Sequence, residues 1–277
     1  MNVLDGNWMV VRNFHASNKM QDESGFLNHC LGSILRFVKN NGYKPFAVAW
    51  DQGKYRYRAD TKGVDYKGDR VYDDSFKVCW NVMDRLRQIL PSIGIKCLQF
   101  PGIEADDIGY WCAYTPELSH FKEINLISSD RDWFISINER TNVIRPLTGD
   151  KIQLYSESIL EEEFGLSHFD DYLLYKSIVG DGSDNIPGIT QSAALIKEYI
   201  SGYKLSTLDE EIKSKMEVNI HLMRLDRILT DEEVCASLKQ QLNTPFVKRP
   251  LSLLLPPNYP VYFNGIIGKY MREQGLL

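Results

Sequence analysis

Four short apolar runs in the first half of the chain end in, or run quickly into, carboxylates. Met1 to Leu4 ends at Asp5, and Pro45 to Trp50 (PFAVAW) ends at Asp51. Cys97 to Phe100 runs into Pro101-Gly102-Ile103-Glu104-Ala105-Asp106-Asp107, and Ile124 to Ser129 ends at Asp130 with Asp132 two residues on. Short unbroken apolar runs fit buried strands, while Phe26, Leu27, Cys30, Ile34, Leu35, Phe37 and Val38 between them approximate helical spacing. Strands alternating with helices predict an α/β fold with a central, mainly parallel sheet. Ligands of such sheets gather outside the carboxyl ends of the strands, so the four runs deliver acid to one rim. A lone strand-end Asp is commonly a helix cap or turn former; four coincident cases need another reason.

After about residue 150 the strand patterns stop and helical stretches dominate: Ser156 to Phe164, Phe169 to Val179, Ser192 to Ile200 and Asp209 to Leu229. Pro245, Pro250, Pro256, Pro257 and Pro260 predict an irregular tail ending in a short helix from about Phe263. The five cysteines (Cys30, Cys79, Cys97, Cys112, Cys235) show no CxxC spacing, which argues against both a disulfide framework and a zinc site. No run approaches the ~18 apolar residues of a membrane span, and Met1-Asn2-Val3-Leu4-Asp5 lacks the features of a signal peptide. A soluble intracellular protein is expected.

The loop Val179-Gly180-Asp181-Gly182-Ser183-Asp184-Asn185-Ile186-Pro187-Gly188 adds two acids, so Asp5, Asp51, Glu104, Asp106, Asp107, Asp130, Asp132, Asp181 and Asp184 are candidates for one site. Gathered like charges repel and raise one another's pKa unless cations sit among them. With no Cys or His in the set, hard divalent ions such as Mg²⁺ or Mn²⁺ suit it. Two such ions support in-line displacement at phosphorus, which makes phosphodiester hydrolysis the leading chemistry. The net charge of −5 alone argues against nucleic acid, but its distribution does not. Between Gln52 and Tyr72, Lys54, Arg56, Arg58, Lys62, Lys67 and Arg70 outnumber Asp60, Asp65 and Asp69, with Tyr55, Tyr57, Tyr66 and Tyr72 interleaved. Bases on phosphates and rings on bases are what a single-stranded channel requires.

These motifs, from VLDGN through AVAWDQGKYRYR, YKGDR, GIEADD, ISSDRDW and GDGSDNIPGI to HLMRLDRIL, resemble the 5′-nuclease (flap endonuclease) superfamily, most closely its stand-alone phage members and the 5′-nuclease domain of bacterial DNA polymerases. The resemblance implies a PIN-like catalytic domain over 1–160 with a helical arch at about 52–93, the stretch from Tyr72 to Leu90 completing it. A helical DNA-binding part with a helix-three-turn-helix-like motif would cover 161–277. It implies Asp5, Asp51, Glu104 and Asp106 as ligands of one metal and Asp130, Asp132 and Asp184 of a second, with Asp107 and Asp181 as outer or shared acids. Lys67 and Arg70 would act on the scissile phosphate, Tyr66 would stack a terminal base, and Lys54, Arg56 and Arg58 would line the DNA path. Implied partners are 5′ flaps, branched duplexes, single-stranded 5′ ends, RNA–DNA primers and replication proteins, met by a monomer in the cytoplasm, that of a host if phage-encoded. Family members often bind K⁺ at a hairpin that grips duplex DNA. Here Ile189-Thr190-Gln191-Ser192-Ala193-Ala194 departs from that pattern, with no Lys until Lys197, so weaker or differently placed duplex binding is expected. The rival readings are a PIN-like ribonuclease and a non-catalytic structure-specific DNA-binding module.

Overall fold

The four apolar runs form strands β1 (Asn2–Asp5), β2 (Phe46–Ala49), β3 (Lys96–Leu98) and β4 (Ile124–Ile127). A computed structural model describes residues 1–53, 55–58, 65–68, 73–148, 151–202, 209–247, 249–250, 255 and 258–277. Two further strands, β5 (Thr141–Pro146) and β6 (Ile152–Tyr155), complete a sheet in the order β3-β2-β1-β4-β5-β6, parallel except for the antiparallel edge strand β6. The register places Asp5 beside Ala49, and Leu4 beside Ile127. The chain winds outward from β1 through β2 to β3, then restarts on the other side at β4. The topological switch therefore lies between β1 and β4, where the crevice of an open α/β sheet binds its ligand.

Successive residues of a strand face opposite ways, and the core divides accordingly. Leu4, Val48 and Ile127 enter a layer with α1 (Gly6–Ala16), α2 (Glu23–Asn40) and α3 (Lys77–Ile89). Val3, Ala47, Ala49 and Leu126 enter the other, built on α4 (Ala105–Tyr114), with Leu160 of α5 (Glu157–Phe164) and Tyr172 of α6 (Asp171–Val179). Beyond them, α6, α7 (Ala193–Ile200) and α8 (Glu210–Met223) share a small cluster around Ile178, Tyr199 and Met216.

Three expectations change. Helix α3 is not part of an arch: Val78, Cys79, Val82, Met83, Leu86 and Ile89 are buried in the first layer. At about 1.5–3 kcal/mol for each such side chain, freeing this face would lose on the order of 10 kcal/mol, which leaves the expected arch only the residues before Lys77. Of these, 54, 59–64 and 69–72 lie outside the described residues. The stretch from Asp209 to Leu229 is not one helix, because Arg224 turns extended (φ −68°, ψ 137°) and a 3₁₀ turn follows at Asp226–Thr230. Nor do the cores divide at residue 160. Val234 and Leu238 of α9 (Glu232–Asn243) join the layer of α4, and Phe263, Ile267, Tyr270 and Met271 of α10 (Tyr262–Glu273) join that of α2. All five cysteines are free thiols, and among the described residues no helix is long and apolar enough to cross a membrane.

Candidate metal centre at the carboxyl rim

Asp5 ends β1 and caps α1, its Oδ1 accepting from the Trp8 amide at 2.9 Å. Its Oδ2 accepts from Ser128 Oγ (2.8 Å), and that hydroxyl accepts from the Asp130 amide (3.0 Å), so one Ser ties the ends of β1 and β4 across the switch. Asp51 follows β2; its Oδ1 accepts from the Ala105 amide (2.7 Å), which docks the start of α4 on the rim, and its own amide donates to Asn7 Oδ1 (3.1 Å). In the first turn of α4, carboxylate oxygens of Glu104, Asp106 and Asp107 lie within 4.8 Å of one another.

The second half contributes the rest. Gly180 has φ 78°, and a Cβ there would stand 2.3 Å from the Gly188 nitrogen. Only Gly tolerates both this backbone and this closeness. The loop so closed holds Asp184, which is buried, and Asp181, whose Oδ1 accepts from the Ser183 amide (2.9 Å) and hydroxyl (2.6 Å). The Tyr66 hydroxyl lies 3.2 Å from Glu104 Oε2 and 3.0 Å from Asp184 Oδ2. Lys67 Nζ sits against Glu104 Oε1 and 3.5 Å from Asp184 Oδ2. Lys67 has φ 56°, an uncommon value for a residue with a side chain, and its amide donates to the Asp184 carbonyl at 3.2 Å.

Burial, then the neighbouring Asp51 and Asp130, push the Asp5 carboxyl up to about 8. Burial and Asp132 push Asp130 up to about 7. Burial also raises Asp106, with Arg58 opposing. Asp181 goes the other way: burial works to raise it, but Lys176 holds it below the usual carboxylate range. A cleft of about 360 Å³ lined by Trp8, Ser129, Asp130, Arg131, Asp181 and Ser183 opens here. Larger cavities of about 800 and 660 Å³ hold none of these acids.

All nine expected acids thus stand on the rim or in the loop that meets it, with Lys67 and Tyr66 between them. Other expectations fail on geometry. Arg58 is 3% exposed and bound to Asp107 and Glu104, so it does not line a DNA path. Arg56, by contrast, is exposed and stays at the surface, its guanidinium pairing with Asp231 (2.9 Å) and Glu233 (3.0 Å). Tyr66 is no open stacking platform: its ring packs edge-on against Tyr55 at 4.8 Å, and its hydroxyl joins the acids. Lys54 and Arg70 lie outside the described residues. The sequence reading missed Lys176, a buried lysine whose Nζ lies 2.5 Å from Asp132 Oδ1 and 2.7 Å from Asp181 Oδ2. A Lys amid the apolar and aromatic residues of α6, five residues before an Asp, was the available signal. Ser128 carried none, being one hydroxyl at a strand end.

A family model described as the 5′-3′ exonuclease, N-terminal resolvase-like domain, matches residues 1–165. The thermostable DNA polymerase I of Thermus caldophilus is 24% identical over 260 residues, covering 86% of this chain and 30% of that protein. A 5′-3′ exonuclease of Mycoplasmopsis pulmonis is 29% identical over 189 residues, covering 68% and 61%. The match therefore spans about a third of the polymerase and under two thirds of the exonuclease. The 5′-exonuclease of bacteriophage T5, solved with zinc, shares the fold at a TM-score of 0.62, with 17% identity over 99% of this chain and 97% of that one. The D15 flap endonuclease of the same phage, in a pseudo-enzyme-product complex with DNA and metal ions, gives 0.59 at 17% identity over 98% and 96%.

Proposed function

The chain belongs to the 5′-3′ exonuclease family, and from that premise we propose that it is a divalent-metal-dependent 5′ nuclease hydrolysing phosphodiester bonds in branched DNA, with both 5′-3′ exonuclease and flap endonuclease activity. One observation carries the reading: Asp5 and Asp130 are tied together at the topological switch, have no cationic side chain within ion-pair distance among the described residues, and are pushed up to about 8 and 7. Such a pair favours added positive charge, and an all-oxygen donor set fits Mg²⁺, with Mn²⁺ as its substitute. Asp5, Asp51, Glu104 and Asp106 would hold one ion and Asp130, Asp132 and Asp184 a second. Bound there, two ions would supply Lewis-acid stabilisation of an in-line displacement at phosphorus.

The chain's own residues supply positioning. Lys67 stands where the Glu104 and Asp184 sides meet, a place from which an ammonium stabilises charge growing on a phosphate. Arg70 joins it in this proposal. The substrates are 5′ flaps, branched duplexes, single-stranded 5′ ends and RNA–DNA primers, met by a monomer during replication or repair, with replication proteins as partners. The stretch Ile189-Thr190-Gln191-Ser192 leading into α7, with no second Gly-rich turn and no Lys until Lys197, supports a weaker or differently placed duplex grip with little dependence on K⁺. The test is cleavage of a 5′-labelled flap with Mg²⁺, with EDTA, and by Asp130→Asn. Mg²⁺-dependent cutting near the junction, absent with EDTA and in the variant, is the expected result. Cutting of RNA alone would indicate the PIN-like ribonuclease, and silence on both the binding module.

A further inference from the structure

Arg58 was expected to touch DNA, yet it is among the most engaged side chains of the described residues. Its Nη1 and Nη2 donate to Asp107 Oδ2 (2.7 Å) and Oδ1 (3.1 Å), a two-pronged pairing that fixes the plane of both groups. Nη1 also lies 2.8 Å from Glu104 Oε2. On its other edge, Nε donates to the Leu222 carbonyl at 2.8 Å. That carbonyl belongs to the last turn of α8 (residues 210–223), where carbonyls lack partners within the helix and attract cations. The neighbouring backbone is gripped from the same side, since Arg227 Nη1 donates to the Tyr57 carbonyl and the Tyr57 hydroxyl donates to Asp231 (3.2 Å). One buried guanidinium thus joins the first turn of α4 to the end of α8.

We propose that Arg58 is a positioning residue. It neutralises Asp107, presents Glu104 to the rim, and passes the placement of α8 to the metal-binding acids without touching nucleic acid. This rests on the nuclease reading of the rim and deepens it. A lysine offers a point charge in place of the planar fork, so Arg58→Lys keeps the charge and loses the geometry. Asp107→Asn keeps the shape and loses the charge.

The test measures Mn²⁺ binding to the DNA-free protein by titration calorimetry, the Mg²⁺ dependence of flap cleavage, and the salt dependence of flap binding with Ca²⁺ in place of Mg²⁺. Both variants should bind Mn²⁺ about 10–100-fold more weakly, as expected when a partner of a metal ligand is removed. Both should lower kcat at fixed Mg²⁺ with KM for DNA unchanged, and leave the slope of log Kd against log salt as in the unaltered protein. A phosphate contact would instead lose about 0.9 from that slope once its charge is removed, and seeing this for Arg58→Gln with unchanged Mn²⁺ affinity would overturn the proposal. Lowered thermal stability with unchanged Mn²⁺ affinity and kcat in Asp107→Asn would also overturn it, leaving a structural role alone. Absence of Mn²⁺ binding by the unaltered protein would remove the metal-centre reading itself, a result separate from either.

Discussion

Two kinds of carboxylate share the rim, and they differ in what the protein has placed beside them. Asp107 and Asp181 each face a buried cation of this chain, Arg58 and Lys176 respectively. Asp5 and Asp130 face each other through Ser128 and, among the described residues, no cation within ion-pair distance. The first kind is neutralised when the chain folds. The second stores repulsion that an added cation would relieve, which is why Asp5 and Asp130 are pushed up while Asp181 is held down. The lesson is that counting acids on a rim overstates the metal site. The acids that matter most are those left without an internal counter-charge.

The sharpest break of this comparison is Asp130→Asn. It should lower flap cleavage by on the order of 10³-fold, several kcal/mol of transition-state stabilisation, while thermal melting of the metal-free protein holds or rises. Loss of both folding and activity would contradict the distinction. Next comes Lys176→Met, which leaves Asp132 and Asp181 facing each other without their cation. Breaking a buried pair in this way typically costs about 3–5 kcal/mol, to be read from urea unfolding. Lys67→Ala should lower kcat by roughly 10²-fold with KM for DNA little changed, as single-turnover and steady-state rates would show.

Asp5 and Asp181 should also answer pH with opposite sign. The folded state retains a proton on Asp5 that the unfolded chain releases above the ordinary carboxylate value of about 4. Metal-free stability should therefore fall as pH rises from there to about 8. Asp181, held below its ordinary value, contributes stability that is present above that value and lost as pH falls through the folded one. Melting temperatures from about pH 2 to 9, with and without Mg²⁺, would separate them: the high-pH loss should vanish with the ion and the low-pH loss should remain.

Much of this was legible in the sequence for one physical reason: β1, β2 and β4 are buried on both faces, so they read as unbroken apolar runs and announce where their acids must lie. Strand β5, TNVIRP, interleaves polar residues, and the edge strand β6, IQLY, leaves Ile152 and Leu154 exposed, so neither gave that signal. Helix α3 carries helical spacing at Val78, Val82, Leu86 and Ile89, and that apolar face marks it as core where the resemblance implies an arch. Arg58 marks the deeper limit. Alternation with Arg56 and tyrosines made it look like part of a charged channel, and nothing local says that a basic residue will meet Asp107, 49 residues on, or the Leu222 carbonyl, 164 residues on. Which charge neutralises which is settled by the topology of the sheet and the return of α8, both set over long sequence separations.

The central claim, that Asp5 and Asp130 are the rim's cation-seeking acids, is tested most directly by counting protons. Mg²⁺ titrated calorimetrically into the DNA-free protein at pH 7, in two buffers of different ionisation enthalpy, should release about one proton per protein, and Asp5→Asn should abolish most of that release. Binding of Mg²⁺ with no proton released, or release undiminished in Asp5→Asn, would contradict it.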